Sequence, residues 1–252
     1  MPELPEVEVT RRRIAPLLED RTLTEVHTTR RSQFFLTPPA TLRRLLRGRS
    51  VRRLARRGKY LVATLDDESR LVLHLGMTGQ LFSSDATSPR LLSATSRAAL
   101  APEEQRHFRP DAHTHLRLGF ADGGPEVLFR DVRKFGKVLL LRPGQRSERL
   151  DRLGIEALEL SGQELFRATR GRKVAIKSLL LDQSVVAGTG NIYSDEALFL
   201  AGVRPTRRAG RVTRRECDAI SEGIRRVMLR SIETGGSSIS DFVAPDGRDG
   251  GY

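Results

Sequence analysis

Between Leu23 and Leu141 the apolar residues come in short runs cut by Gly, Asp, Ser or Arg. Runs of this kind, rich in Val, Leu and Phe and bounded by turn formers, predict β-strands. They fall at Leu23–Thr28, Val51–Ala55, Tyr60–Leu65, Leu71–Leu75, Leu116–Phe120, Val127–Phe129 and Val138–Leu141. So many short strands predict a sandwich or barrel. Two helical patterns stand among them. Val7, Thr10, Ile14, Leu17 and Leu18 share one face of a helix over residues 6–19, which Pro16 is expected to bend or end early. Residues Pro39–Leu46 read as a second, shorter helix. The stretch Ser83–Ala112 is polar and without period, and reads as an insertion or flexible loop.

After Arg142-Pro143-Gly144 the spacing of apolar residues changes from two to three or four. Ser161 followed by Glu164 opens a helix to Thr169, because a Ser side chain and a Glu three residues on can satisfy each other's backbone N–H groups. Val174–Asp182 and Ser194–Ala201 follow. A long helix from Thr213 to Thr234 opens on a second such pair, Thr213 with Glu216, and stops at Gly235-Gly236. The chain is therefore expected to be α+β, with a β-rich unit over residues 1–145 and a helical unit over residues 150–252.

Charge narrows what such a molecule can meet. A net charge of +13 and a pI near 11.0 point to a polyanionic partner. A membrane is the rival, yet no apolar run is long enough to span one, and Arg11, Arg12 and Arg13 interrupt any signal-peptide core. The one cysteine, Cys217, excludes an internal disulfide and a four-cysteine metal site made by these residues, and fits a reducing cytosol. Only five of the 44 basic residues are Lys, so those that remain hint at a need for an ammonium.

The chemistry concentrates at the start. Once Met1 is removed, the nitrogen of Pro2 is a free secondary amine, able to attack a sugar C1′ carbon and form an iminium. Glu3 and Glu6 stand within tethered reach as proton donor or acceptor. Read by itself, the string Pro2-Glu3-Leu4-Pro5-Glu6-Val7-Glu8 also suits a plain helix start, with Pro5 early and acids at the positive end of the dipole. Gly188-Thr189-Gly190-Asn191-Ile192-Tyr193-Ser194-Asp195-Glu196 lies between two predicted helices and reads as a phosphate-binding turn, whose glycines let the backbone approach closely and whose following helix offers free N–H groups. A nucleotide-binding P-loop is excluded, since the Gly-Lys-Ser/Thr ending is missing. His74-Leu75-Gly76-Met77-Thr78-Gly79 closes a strand, and Asp131-Val132-Arg133-Lys134-Phe135-Gly136 is a basic turn with one aromatic. Arg57-Gly58-Lys59-Tyr60 opens a strand, and Gly235–Val243 is a polar loop. His113 and His115 share a strand face, but a pair without further ligands is assigned no metal.

These segments together resemble the formamidopyrimidine-DNA glycosylases of the Fpg/Nei superfamily, in register from residue 2 to residue 252 apart from Ser83–Ala112. Leu4 and the Gly235–Val243 loop favour the formamidopyrimidine branch. The resemblance implies an N-terminal β-sandwich with a flanking helix and a helical domain carrying a helix–two-turn–helix, with DNA between them. It implies a monomer in the bacterial cytosol acting on damaged duplex DNA, in which 8-oxoguanine or formamidopyrimidines are excised through a Pro2 Schiff base and the strand is cut by β,δ-elimination. Glu3 would assist protonation of the sugar ring oxygen, Glu6 would position the N-terminus, and Lys59 would touch a phosphate and the damaged base. Met77, Arg133 and Phe135 would fill the void left by the everted nucleotide. Lys177, Asn191, Gly190, His74 and Ser238 complete the expected DNA contacts. Relatives continue past the Tyr252 position into a hairpin finger that usually holds zinc with four cysteines; this sequence stops there, so no cofactor is expected on these residues. Two other readings stay open: a Nei-type enzyme for oxidised pyrimidines, and a lesion-binding protein without catalysis.

Overall fold

Two four-stranded antiparallel sheets share one apolar core. The first has the order β2 (Val51–Arg57), β3 (Tyr60–Leu65), β4 (Arg70–His74), β8 (Lys137–Leu141), and the second the order β1 (Leu23–Thr28), β6 (Thr114–Phe120), β7 (Val127–Asp131), β5 (Gly79–Ser83). This is a computed structural model, and it describes residues 2–86, 110–237, 242, 244, 245 and 250–252. The alternation is plain in β3, where Leu61, Ala63 and Leu65 are buried and the residues between them are half-buried. They meet Leu118, Val127 and Phe129 of the facing sheet, together with Ile14, Ala15 and Leu18 of the first helix. The arrangement is the expected sandwich.

Strand β5 is absent from the sequence reading, which took Gly76–Gly79 for a turn and then an insertion from Ser83. All five residues of β5 are buried, but its only apolar run is Leu81-Phe82, flanked by Gly79, Gln80 and Ser83, too short to mark a strand. Of the Ser83–Ala112 stretch, residues 87–109 lie outside the described residues.

Helix α1 spans Leu4–Leu18, beginning two residues earlier than its apolar face predicts. Pro16 neither ends nor interrupts it, because only one intrahelical bond is lost near its end and the next, from Glu19 N to Ala15 O, is intact at 2.8 Å. Helix α2 is Pro39–Leu46. The helical unit comprises α3 (Glu148–Asp151), α4 (Gly162–Thr169), α5 (Ile176–Leu181), α6 (Asn191–Leu200) and α7 (Arg214–Glu233). Both predicted reciprocal caps form: Glu164 N donates to Ser161 Oγ at 3.2 Å and Glu216 N to Thr213 Oγ1 at 3.3 Å, while each Glu accepts in return. A two-stranded parallel ribbon, β9 (Ile155–Glu156) with β10 (Val186–Ala187), leads into the turn before α6.

The helical unit has its own core, including Leu165, Ile176, Leu180, Tyr193, Cys217, Ile220 and Ile224. Leu4 belongs to that core, whereas Val7, Ile14 and Leu18 of the same helix belong to the sandwich. Helix α1 therefore joins the two units, and its N-terminus lies on the seam.

Candidate active site and nucleic-acid interface

Pro2 and Glu3 are held on the seam by backbone contacts from the turn before α6. Leu4 N donates to Gly188 O at 3.0 Å, and Glu3 Oε1 accepts from Ile192 N at 3.0 Å. The Glu3 carboxylate thus occupies the exposed amide end of α6, which explains why that helix starts at Asn191, three residues before its predicted start. A Cβ on Gly190 would stand 2.3 Å from the Glu3 carboxyl carbon, so the close approach requires glycine. The other oxygen, Glu3 Oε2, is buried and makes no hydrogen bond among the described residues. Burial raises the Glu3 pKa, an effect tempered by the Lys59 charge and the Ile192 amide.

Glu6 is fully engaged. Its Oε2 accepts from Glu3 N at 2.9 Å, and its Oε1 accepts from Tyr193 Oη at 2.5 Å and Ser237 N at 2.9 Å. Tyr193 Oη also lies 2.6 Å from Ser231 Oγ. One carboxylate therefore ties the N-terminus to α6 and to the residue just before the Ser238 loop. Lys59, at the tip of the β2–β3 hairpin, is buried; desolvation lowers its pKa against the opposing pull of Glu3 and Glu6. His74 is pushed down to about 4 by burial and by the positive charges of Lys59, Lys137 and Arg149. It is neutral at physiological pH, its Nδ1 accepting from Gly76 N at 3.1 Å.

A second group stands apart on two turns. Met77 and Phe135 are each 39% exposed, and the Arg133 guanidinium lies 4.5 Å from the Phe135 ring centroid. The turns touch: Gly76 is left-handed (φ +65°), and a Cβ there would sit 2.5 Å from Gly136 N. Asp131, fully buried between them, accepts from Thr78 Oγ1 at 2.5 Å, Gly136 N at 2.6 Å and Arg133 N at 3.2 Å. Lys134 adopts a left-handed backbone (φ +56°) between Arg133 and Phe135. Exposed, pre-aimed apolar and cationic tips of this kind can enter a base stack.

Lys177 and Asn191 form a third group beside α6. Lys177 Nζ pairs with Asp195 Oδ2 at 2.8 Å, and Asn191 is exposed at the first position of the helix. Ser238 lies outside the described residues. Pro2, Glu3, Glu6, Lys59 and Gly190 therefore come together with His74 nearby, while the Met77 group and the Lys177 group remain separate from them. His115 is structural, its Nε2 meeting Asp131 O at 2.9 Å and its Nδ1 meeting Thr29 Oγ1 at 3.1 Å. Among the described residues no group of three or more His, Cys, Asp or Glu is placed to hold a metal, and the one thiol, Cys217, is buried in the helical core. A four-cysteine site has no counterpart there. Nor is any described helix long and apolar enough to cross a membrane.

Sequence reasoning missed Tyr193, Ser231, Asp131 and Thr78 as parts of these groups. Thr78, Asp131 and Tyr193 sit inside the motifs that drew attention, but the bonds Thr78–Asp131, Tyr193–Glu6 and Tyr193–Ser231 span 53, 187 and 38 positions, and only folding reveals them.

Residues 1–138 match the formamidopyrimidine-DNA glycosylase N-terminal domain, and residues 153–243 match the formamidopyrimidine-DNA glycosylase H2TH domain. The chain is 40% identical over 255 residues to the formamidopyrimidine-DNA glycosylase of Teredinibacter turnerae, covering 99% of this chain and 85% of that one. It superposes on the crystal structure of the MutM (Fpg) protein from Thermus thermophilus with a TM-score of 0.80 at 35% identity, covering 99% of this chain and 84% of that one. It is also similar to a Lactococcus lactis Fpg mutant in complex with a Fapy-dG containing DNA, with a TM-score of 0.79 at 29% identity and coverage of 96% and 83%.

Proposed function

The chain belongs to the formamidopyrimidine-DNA glycosylase family, and from the site it assembles we propose a glycosylase and strand-cleaving lyase acting on duplex DNA that carries oxidised purines. The observation that carries this reading is the Glu3 carboxyl next to Pro2 in the chain: one oxygen fixed by the Ile192 amide, the other buried and without a hydrogen bond among the described residues. A raised pKa keeps a share of Glu3 protonated where an ordinary carboxyl is fully ionised.

The Pro2 nitrogen attacks C1′ of the everted nucleotide. Glu3 hands a proton to the ring oxygen as the C1′–O4′ bond breaks and the sugar opens. The Pro2 nitrogen then loses its proton, and its lone pair expels the base from C1′, giving the iminium while the departing base takes up a proton. Removal of a C2′ proton then expels the 3′-phosphate, and a second elimination expels the 5′-phosphate. Lys59, desolvated beside Glu3, is placed to meet a phosphate or the damaged base. Met77, Arg133 and Phe135 hold the vacated space in the duplex, an extrusion that base-directed chemistry requires.

Borohydride reduction tests the nucleophile. The processed protein should be trapped covalently on an abasic-site duplex, and a version retaining Met1 should not be. An undiminished adduct from the Met1-retaining protein would overturn the role of Pro2. A panel of duplexes carrying oxidised purines or oxidised pyrimidines separates this reading from the Nei type.

A further inference from the structure

Glu156 is a buried carboxylate that none of the steps above uses. It lies on β9, in the helical unit, yet every hydrogen bond its side chain accepts comes from the sandwich. Its Oε2 accepts from Arg56 at 2.6 Å, and its Oε1 accepts from Arg57 at 3.1 Å and from the Gly58 amide at 2.6 Å. Those three residues form the end of β2 and the start of the hairpin turn, and the next residue is Lys59. The guanidinium of Arg57 adds bonds to Leu153 O at 3.1 Å and Gly154 O at 2.7 Å. Arg56 also reaches Glu8 of α1 at 3.3 Å.

The ribbon that carries Glu156 governs the other side of the site as well. Ala187 of β10 pairs with Glu156, and the next residue, Gly188, supplies the carbonyl that binds Leu4 N. Two residues later Gly190 packs on Glu3. The hairpin bearing Lys59 and the turn supporting Glu3 are thus both referenced to one short ribbon, and Glu156 is the hairpin's ionic anchor to it. A surface ion pair would contribute little. This one is largely desolvated, and it fastens a backbone amide adjacent to a functional side chain.

We propose that Glu156 is a positioning residue, pinning the Arg56–Gly58 end of the hairpin to the helical unit and so fixing the Lys59 ammonium against Glu3 and the Pro2 nitrogen. The proposal rests on the functional reading above. Its distinguishing consequence is that Glu156 acts through Lys59, so the two should be strongly coupled.

The test is single-turnover borohydride trapping on an abasic duplex for the parent, Glu156→Ala, Glu156→Gln, Lys59→Met and the double variants. Glu156→Ala should slow trapping by about 10²-fold, the scale of a misplacement of roughly 1 Å, with duplex affinity changed far less. Glu156→Gln keeps an acceptor for the Gly58 amide and should lose less. In the Lys59→Met background either Glu156 substitution should add little. Equal losses in both backgrounds, or no loss from Glu156→Ala in the parent, would overturn the proposal. If Glu156→Ala does not fold, Glu156→Gln carries the same comparison. A second readout is independent of activity: lysine-selective ¹³C NMR of a chain with five lysines. Lys59, facing Glu3, Glu6 and His74, should titrate below an ordinary lysine in the parent and move upward in the Glu156 variants as its tip becomes solvated. Should the parent form no adduct, the functional reading fails alone, and the NMR titration still decides the clamp: an unmoved Lys59 resonance would sink it.

Discussion

The N-terminal seam and the paired turns are built on opposite terms. Pro2, Glu3, Glu6 and Lys59 are all buried, and α6 holds both carboxylates, Glu3 through Ile192 N and Glu6 through Tyr193 Oη. Met77, Arg133 and Phe135 are exposed, and the buried group among them is the carboxylate underneath, Asp131. The difference fits the role proposed for each. Proton transfer and nucleophilic attack depend on dry surroundings and fixed geometry, since burial shifts the relevant pKa and misplacement costs rate. Side chains proposed to enter a duplex stand in solvent until the partner arrives, so their aim is set mainly by the turns beneath them and by the Arg133–Phe135 contact.

The comparison breaks most visibly at Glu3. Glu3→Gln keeps the shape and the Ile192 bond but cannot deliver a proton, and excision should fall by about 10²–10⁴-fold with duplex affinity little changed. The pH profile sharpens this. Burial lifts Glu3 above its ordinary 4.5, so the protonated acid persists to higher pH. The limb set by Glu3 should decline as pH climbs through the raised value, while protonation of the Pro2 amine removes the nucleophile on the acid side and sets a separate limb. A Glu3→Gln protein that excises nearly as well as the parent, with the same pH limb, would remove Glu3 from the chemistry.

Gly190→Ala asks whether the seam's rigidity matters. A methyl there meets the Glu3 side chain rather than backbone, so the fold should survive while the carboxyl shifts. Single-turnover excision should drop by about 10²-fold; an unchanged rate would show that Glu3 works equally well from a displaced position.

At the turns the expected losses are smaller and shared. Replacing Met77, Arg133 and Phe135 together with Ala should erode discrimination between abasic and undamaged duplexes, with effects that do not add. Titration of both duplexes with the single and triple variants measures it, and strictly additive losses would argue against one unit. Asp131→Asn should reproduce part of the defect without touching any exposed side chain, since it weakens the support for both turns.

The mildest effect belongs to Lys177, which rests on Asp195 and is proposed to exchange that partner for a phosphate. Lys177→Ala should weaken all duplexes alike and reduce the salt slope of binding by about 0.9. A slope that does not change would mean that Lys177 meets no phosphate.

Much of this protein is legible without folding it. Period-two and period-three-to-four patterns locate most strands and helices because each buries one face against water and shows the other. The reciprocal caps at Ser161 and Thr213 are local, so four residues suffice to read them. Pro2, Glu3, Met77 and Phe135 stand out through the family resemblance that their segments carry together, since each string read alone suits a helix start or a turn. Strand β5 was not legible, since its apolar run is only Leu81-Phe82 between small and polar residues that the fold nevertheless buries. Nor were the bonds that make the site: Glu3 to Ile192, Glu6 to Tyr193 and Ser237, and Gly58 to Glu156 join residues about a hundred or more positions apart. Sequence specifies such groups one at a time. Only the closing of the sandwich against the helical unit decides which of them share a dry space, and therefore that burial raises the Glu3 carboxyl above its ordinary pKa.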